Sequence, residues 1–180
     1  MTSGSKKVLI AVSELYNPRE LLNTIRVFRK RGLAFDVVSG QTYIQSEDGP
    51  QQIRLKLTYA TLDTRNLASR YDAIVCISGA LKPTMHMWKN KILADIIRQM
   101  NEAGKVCAGI CCAAPAVAPV AKGKRMTSYD MLRARDWCEI NGAIWTGKVM
   151  EVDGNIITAS NEQKTEDWAE EIVKAVQQVK

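Results

Sequence analysis

Residues 105–120 read K-V-C-A-G-I-C-C-A-A-P-A-V-A-P-V, and this stretch decides the architecture. Val106 to Ile110 is a short run of small and β-branched apolar residues, the pattern of a buried strand. Ala113 to Val120 is rich in alanine and reads as the opening of a helix. Cys111 and Cys112 therefore fall where strand becomes helix. A side chain at such a junction is carried on a tight, strained turn above the sheet edge, with the N–H groups of the following helix start pointing at it. Cys111 is accordingly the candidate nucleophile, because that field favours a thiolate and offers donors to an oxyanion. The competing reading is structural: Cys107, Cys111 and Cys112 are also the small, buried fillers that a strand-to-helix junction accommodates.

The segments on either side repeat the alternation of strand and helix. Upstream, Lys7 to Ser13 is a nearly continuous apolar run, as expected of a parallel strand covered on both faces. It is followed by a helix with Asn17 at the N-cap, Pro18 at the first position, Glu20 at the third, and Gly32 as its stop. Glu20 has two readings. It can close a capping box on the Asn17 N–H, or it can stand over the carboxyl ends of the strands, where open α/β sheets build their sites.

Leu33 to Gly40 reads as the second strand, and 42–59 as an antiparallel pair flanking the sheet around the Asp48-Gly49-Pro50 turn. A short helix over Leu62 to Arg70 leads to a buried strand, Tyr71 to Ser78. Ser78-Gly79-Ala80 allows a tight turn there, which would aim one N–H into the crevice of Cys111. The single histidine, His86, lies between two methionines ahead of a helix over Ile92 to Met100; imidazole is the usual base for a cysteine nucleophile, but a packing or surface role fits this setting better.

Beyond the junction, the pattern predicts a short strand over Met126 to Tyr129 and a helix over Asp130 to Ile140 capped by Asp130. A hairpin, Ala143 to Val152 with Asn155 to Ala159, turns at Asp153-Gly154 before the C-terminal helix that starts at Thr165. Alternating strands and helices imply an α/β, flavodoxin-like, doubly wound and mostly parallel sheet in a three-layer sandwich. The expected organisation is a polar tail over 1–5 and a single domain over 6–180, since 180 residues with 46% hydrophobic content suit one full core.

Composition excludes several classes. Five cysteines without paired spacing, and one histidine, argue against a disulfide scaffold and against a zinc site, so no metal or cofactor is expected. The net charge of +6 is scattered over helix faces without interleaved aromatic residues, so nucleic acid is not the expected partner. With no signal-like segment and no run of eighteen apolar residues, the reading is a cytoplasmic protein with no membrane partner.

The run A-G-I-C-C-A-A-P-A-V-A resembles the nucleophile elbow of the ThiJ/PfpI superfamily, which has a class I glutamine amidotransferase-like fold and includes the Parkinson-disease deglycase-like proteins. The resemblance extends from about Lys6 to Val176. It is carried also by R-E-L-L-N-T-I-R-V-F-R-K-R-G around Glu20, by Y-D-A-I-V-C-I-S-G-A, and by V-D-G-N-I-I-T-A with the W-A-E-E-I-V helix. It implies a Glu20–Cys111 pair in which a protonated carboxyl supports the thiolate, with the N–H groups of Gly79 and Cys112 as oxyanion donors and Ser78 and Tyr129 at family pocket positions; His86 is a further pocket candidate only as the single imidazole of the chain. The resemblance also implies a homodimer. Where members of this superfamily use histidine, this chain has Cys112 or Tyr129, so a histidine-dependent protease is not expected.

Three functions follow as expectations. The first is a cysteine-dependent hydrolase, lyase or hydratase acting on a small molecule with an electrophilic carbon, such as a 2-oxoaldehyde or an isonitrile, in the manner of glyoxalase-like and isonitrile-hydratase-like relatives. The second is a redox-sensing or stress-protective protein with an oxidisable Cys111. The third is a binding domain that keeps the fold without the chemistry.

Overall fold

A computed structural model of the chain describes residues 6–179; the expected tail over 1–5 lies outside the described residues, as does the last residue. The strand β1 (Lys7–Val12) runs through the middle of a seven-stranded sheet and is buried along nearly its whole length. Its alternate side chains feed two cores: Val8, Ile10 and Val12 enter one, Leu9 and Ala11 the other. An unbroken apolar strand is what a sheet covered on both faces requires.

The chain leaves β1 through a short strand, β2 (Leu15–Tyr16), into α1 (Pro18–Lys30), and returns as β3 (Ala34–Ser39) parallel to β1. Then follow β4 (Tyr43–Ser46), β5 (Gln52–Arg54), β6 (Leu57–Thr58), α2 (Leu67–Arg70), β7 (Ala73–Ile77), α3 (Leu81–Trp88), α4 (Lys91–Glu102) and β8 (Val106–Ile110). A 3-10 segment over Cys111–Val120 leads to β9 (Arg125–Met126), α5 (Leu132–Ile140), β10 (Ile144–Trp145), β11 (Met150–Asp153), β12 (Ile156–Ala159) and α6 (Thr165–Gln178). The main sheet has the order β11-β12-β8-β7-β1-β3-β6, and every pairing in it is parallel except β11 with β12. Helices α1 and α6 cover one face, joined by the Arg31–Glu170 pair at 2.9 Å and by Arg26–Glu166, while α4 covers the other. The fold is thus the expected flavodoxin-like sandwich, and its strand order reverses between β1 and β7. In open α/β sheets that switch point is where a crevice forms.

Several local expectations are corrected. The helix expected over Ala113 to Val120 is a 3-10 segment starting at Cys111, because Pro115 and Pro119 withhold backbone N–H groups from an α-helical ladder. His86 lies within a helix, α3, not ahead of one: Pro83 falls in the first turn, where its missing donor costs nothing. The pair flanking the sheet is confined to β4 and β5, and β6 leaves it to join β3. The helix expected from Leu62 contracts to α2. Asp130 does not cap α5, which starts at Leu132; its carboxylate instead pairs with Arg135 at 3.2 Å. The strand expected over Met126 to Tyr129 is β9, and Ala143 to Val152 divides into β10, paired with β9, and β11, paired with β12. Among the described residues no helix is long and apolar enough to cross a membrane.

Candidate active site

Three chain crossings meet at the carboxyl ends of β1, β7 and β8. The first is the entry to α1. Asn17 caps the helix with its side-chain oxygen, accepting from the N–H groups of Arg19 at 2.9 Å and Glu20 at 3.1 Å. The Asn17 N–H itself donates to the Ser78 carbonyl at 2.9 Å, so the reciprocal half of a capping box is absent. The Glu20 side chain is thereby released from its helix and turns into the protein, where it is 0% exposed.

Ser78, at the second crossing, receives it. Oε2 of Glu20 accepts the Ser78 N–H at 2.9 Å and the Ser78 hydroxyl at 2.7 Å, whereas Oε1 has no hydrogen-bond partner. Burial pushes the Glu20 carboxyl well above its ordinary range, and negative charge on Cys111 adds to this. The two Ser78 bonds oppose the shift without reversing it. Glu20 is therefore held toward its neutral, protonated form. With Oε2 held by two donors, Oε1 is the oxygen left to carry a proton, and the carboxyl as a whole interacts with the Cys111 side chain.

The third crossing is the elbow. Cys111 has φ of 53°, one of only two non-glycine residues among those described in the left-handed region. Gly109 makes the fold-back possible, since a Cβ there would stand 2.6 Å from the Ala114 Cα. The turn leaves Cys111 half-buried and packed against the core on the α1 side of the sheet.

Its sulfur lies 4.0 Å from that of Cys112, close enough for the Cys111 thiol to donate to Cys112. This contact, then burial, then charge on Cys112 raise the Cys111 thiol, while the Cys112 N–H and the Ser78 hydroxyl pull it down. The same contact lowers Cys112, against burial and the charges of Glu20 and Glu47. The contact thus works against the expected thiolate on Cys111, raising that thiol and lowering Cys112, so the two sulfurs titrate as a coupled pair.

The expected oxyanion donors are both engaged. The Gly79 N–H donates to Thr84 Oγ1 at 3.0 Å, and the Cys112 N–H faces the Cys111 sulfur. Gly79 is sterically required: β2 crosses so close above it that a Cβ would stand 1.7 Å from the Leu15 carbonyl oxygen. Tyr129 is brought to the elbow by its backbone, its N–H donating to the Cys111 carbonyl at 3.2 Å, but its ring is half-exposed. His86 lies on the exposed side of α3 and lines clefts that include neither Cys111 nor Glu20. Structure therefore brings Glu20, Ser78, Cys111 and Cys112 together and leaves His86 apart.

Two participants were not legible in the sequence. Thr84 became relevant only once α3 was known to begin at Leu81. Glu47, which acts on Cys112 through its charge, arrives on the loop after β4. Among the described residues no group of three or more His, Cys, Asp or Glu side chains is placed to hold a metal ion.

A protein of Methanocaldococcus jannaschii without an assigned role is 27% identical over 177 residues, covering 97% of this chain and 83% of its own. Protein DJ-1 homolog A of Arabidopsis thaliana is 29% identical over 164 residues, covering 88% of this chain, which spans only 40% of that longer protein. A ThiJ/PfpI domain protein from Brachyspira murdochii superposes with a TM-score of 0.84 at 18% identity, over 98% of this chain and 100% of the other, a likeness of fold. The model of the DJ-1/PfpI family matches residues 6–175, and with the elbow, the buried acid and the sheet order in place, the chain belongs to the DJ-1/PfpI family.

Proposed function

We propose that this protein is a cysteine-dependent enzyme acting on a small molecule with an electrophilic carbon, such as a 2-oxoaldehyde or an isonitrile, with Cys111 as nucleophile and Glu20 as proton donor. The observation that carries the reading is Glu20 Oε1: fully buried and without a partner, on a carboxyl that burial holds toward its neutral form and that interacts with the thiol of the left-handed elbow. A buried acid kept protonated next to a nucleophile is an arrangement that general acid catalysis uses.

For a 2-oxoaldehyde the steps balance without an outside oxidant or reductant. One proton leaves the dithiol to solvent, and the remaining one passes from Cys111 to Cys112 as Cys111 reacts. The Cys111 sulfur forms a bond to the aldehyde carbon, the carbonyl electron pair moves to oxygen, and that oxygen takes the proton of Glu20 Oε1. The resulting carboxylate is buried and strongly basic, so it withdraws the proton from the former aldehyde carbon and returns it to the neighbouring carbon, while the hydroxyl proton passes from the first carbon's oxygen to the second's. This leaves a thioester, which water hydrolyses to a 2-hydroxy acid and the free thiol.

The test is lactate formation from methylglyoxal. Loss of about a hundredfold or more in both Cys111→Ser and Glu20→Gln is expected; activity that survives both changes overturns the reading. A second reading, oxidation of Cys111 to a sulfinate, is favoured by the same free Oε1, whose proton can be donated to a sulfinate oxygen. Stable addition of two oxygens at Cys111 after peroxide treatment, without turnover of carbonyl substrates, would select it. We take the working assembly to be a homodimer, from the family alone, and light scattering of the purified protein tests that.

A further inference from the structure

A second cleft, of about 70 Å³, opens at the carboxyl ends of β1 and β3 against α3, on the other side of the sheet from Cys111. The alternation of β1 explains the separation. Val8, Ile10 and Val12 face α1, whereas Leu9 and Ala11 face α4, and the next residue in that second series is Ser13.

The Ser13 side chain lines this cleft, is 1% exposed, and its hydroxyl has no hydrogen-bond partner. Tyr59 lines it from the opposite wall at 8% exposure, and its hydroxyl is likewise without a partner. Buried hydroxyls left unpaired cost about 1–3 kcal/mol each, so two facing one cleft mark a place where a polar group is missing. Glu14 lines the same cleft. One carboxylate oxygen accepts from Gln41 at 3.1 Å, and the other lies over Gly40, so near that a Cβ on Gly40 would meet it at 2.6 Å. Pro83 and Met87 supply an apolar wall, and no lysine or arginine lines the cleft.

We propose that this cleft binds a short aliphatic ammonium ion, its charged head held by Glu14, Ser13 and Tyr59 and its carbon stem against Pro83 and Met87. An ammonium head needs several acceptors, and a carboxylate with two hydroxyl oxygens provides them. An anion of the same size would meet the Glu14 charge with no lysine or arginine, and only the His86 imidazole at the cleft, to offset it. The small volume admits a head group and a few carbons and no more. Nothing in this proposal depends on the chemistry assigned to Cys111.

The probe is n-propylammonium, compared with n-propanol and propionate, titrated into isotopically labelled full-length protein and followed by amide chemical shifts. Propylammonium is expected to shift the Ser13, Gly40 and Met87 amides saturably, and the neutral and anionic probes are not. Glu14→Gln should weaken the binding by about tenfold, the loss expected for a hydrogen bond to a charged group. Gly40→Ala, at an exposed position where the new Cβ only displaces the end of the flexible Glu14 side chain, should do the same with unchanged unfolding temperature. Tyr59→Phe should weaken it further, with the alkylation rate of Cys111 unaffected in all three variants. The proposal is overturned if propylammonium gives no saturable shift, if propionate or propanol binds equally well, or if Glu14→Gln and Gly40→Ala bind as the parent does.

Discussion

Ser78 gives both its N–H, at 2.9 Å, and its hydroxyl, at 2.7 Å, to a single oxygen of Glu20, and so leaves the other oxygen of a carboxyl that interacts with Cys111 free. A carboxyl taken out of water and solvated on one oxygen only is better off neutral, since full ionisation needs donors on both. Burial thus favours the protonated acid, and the two Ser78 bonds fix which oxygen is left to carry the proton while opposing the shift.

This protonation has a measurable cost to stability. Glu20 titrates higher in the folded chain than its ordinary value of 4.5, so the folded state holds a proton that the unfolded state has already released. Its contribution is fully present below the unfolded value and is lost as pH rises toward the folded one. Urea unfolding at a series of pH values should show stability falling above about pH 4.5, by up to about 1.4 kcal/mol per unit from this residue. Glu20→Gln, which keeps the shape of the neutral acid, should remove that slope; an unchanged slope would refute the assignment.

How far the sequence disclosed this arrangement depended on the range of the interactions. The apolar run of β1, the Asn17-Pro18 start of α1 and the small residues of β8 carry their own instructions, so the strands, the helices and the place of Cys111 were legible. The fate of Glu20 was not, because capping box and buried acid share the same residues. The choice between them is made by Ser78, 58 residues away. The proton balance between Cys111 and Cys112 was equally hidden, since it depends on a side-chain separation that only the turn defines.

The elbow should reveal its strain through a reversed order of two ordinary substitutions. At φ of 53°, alanine incurs the left-handed penalty and glycine does not. Cys111→Gly is therefore expected to be more stable than Cys111→Ala by about 1 kcal/mol. Thermal unfolding of the two variants measures it. The usual order, alanine above glycine, would mean that the turn is unstrained.

Removing Cys112 should make Cys111 more reactive. In Cys112→Ala the sulfur contact and the neighbouring charge that hold the Cys111 proton both vanish, while the N–H of residue 112 and the Ser78 hydroxyl remain to support a thiolate. The pH profile of iodoacetamide alkylation at Cys111, read by peptide mass, should move to lower pH and become a single step. A profile that stays in place or moves upward would show that the dithiol is not a coupled pair.

The central claim is that a neutral acid faces the nucleophile, and the carboxyl carbon of Glu20 reports it directly. In protein labelled with carbon-13, the Glu20 carboxyl resonance at neutral pH should sit at the position of a protonated acid, and it should shift when Cys111 is alkylated. A Glu20 resonance that titrates with the surface carboxylates near its ordinary 4.5, indifferent to the state of Cys111, would contradict the account.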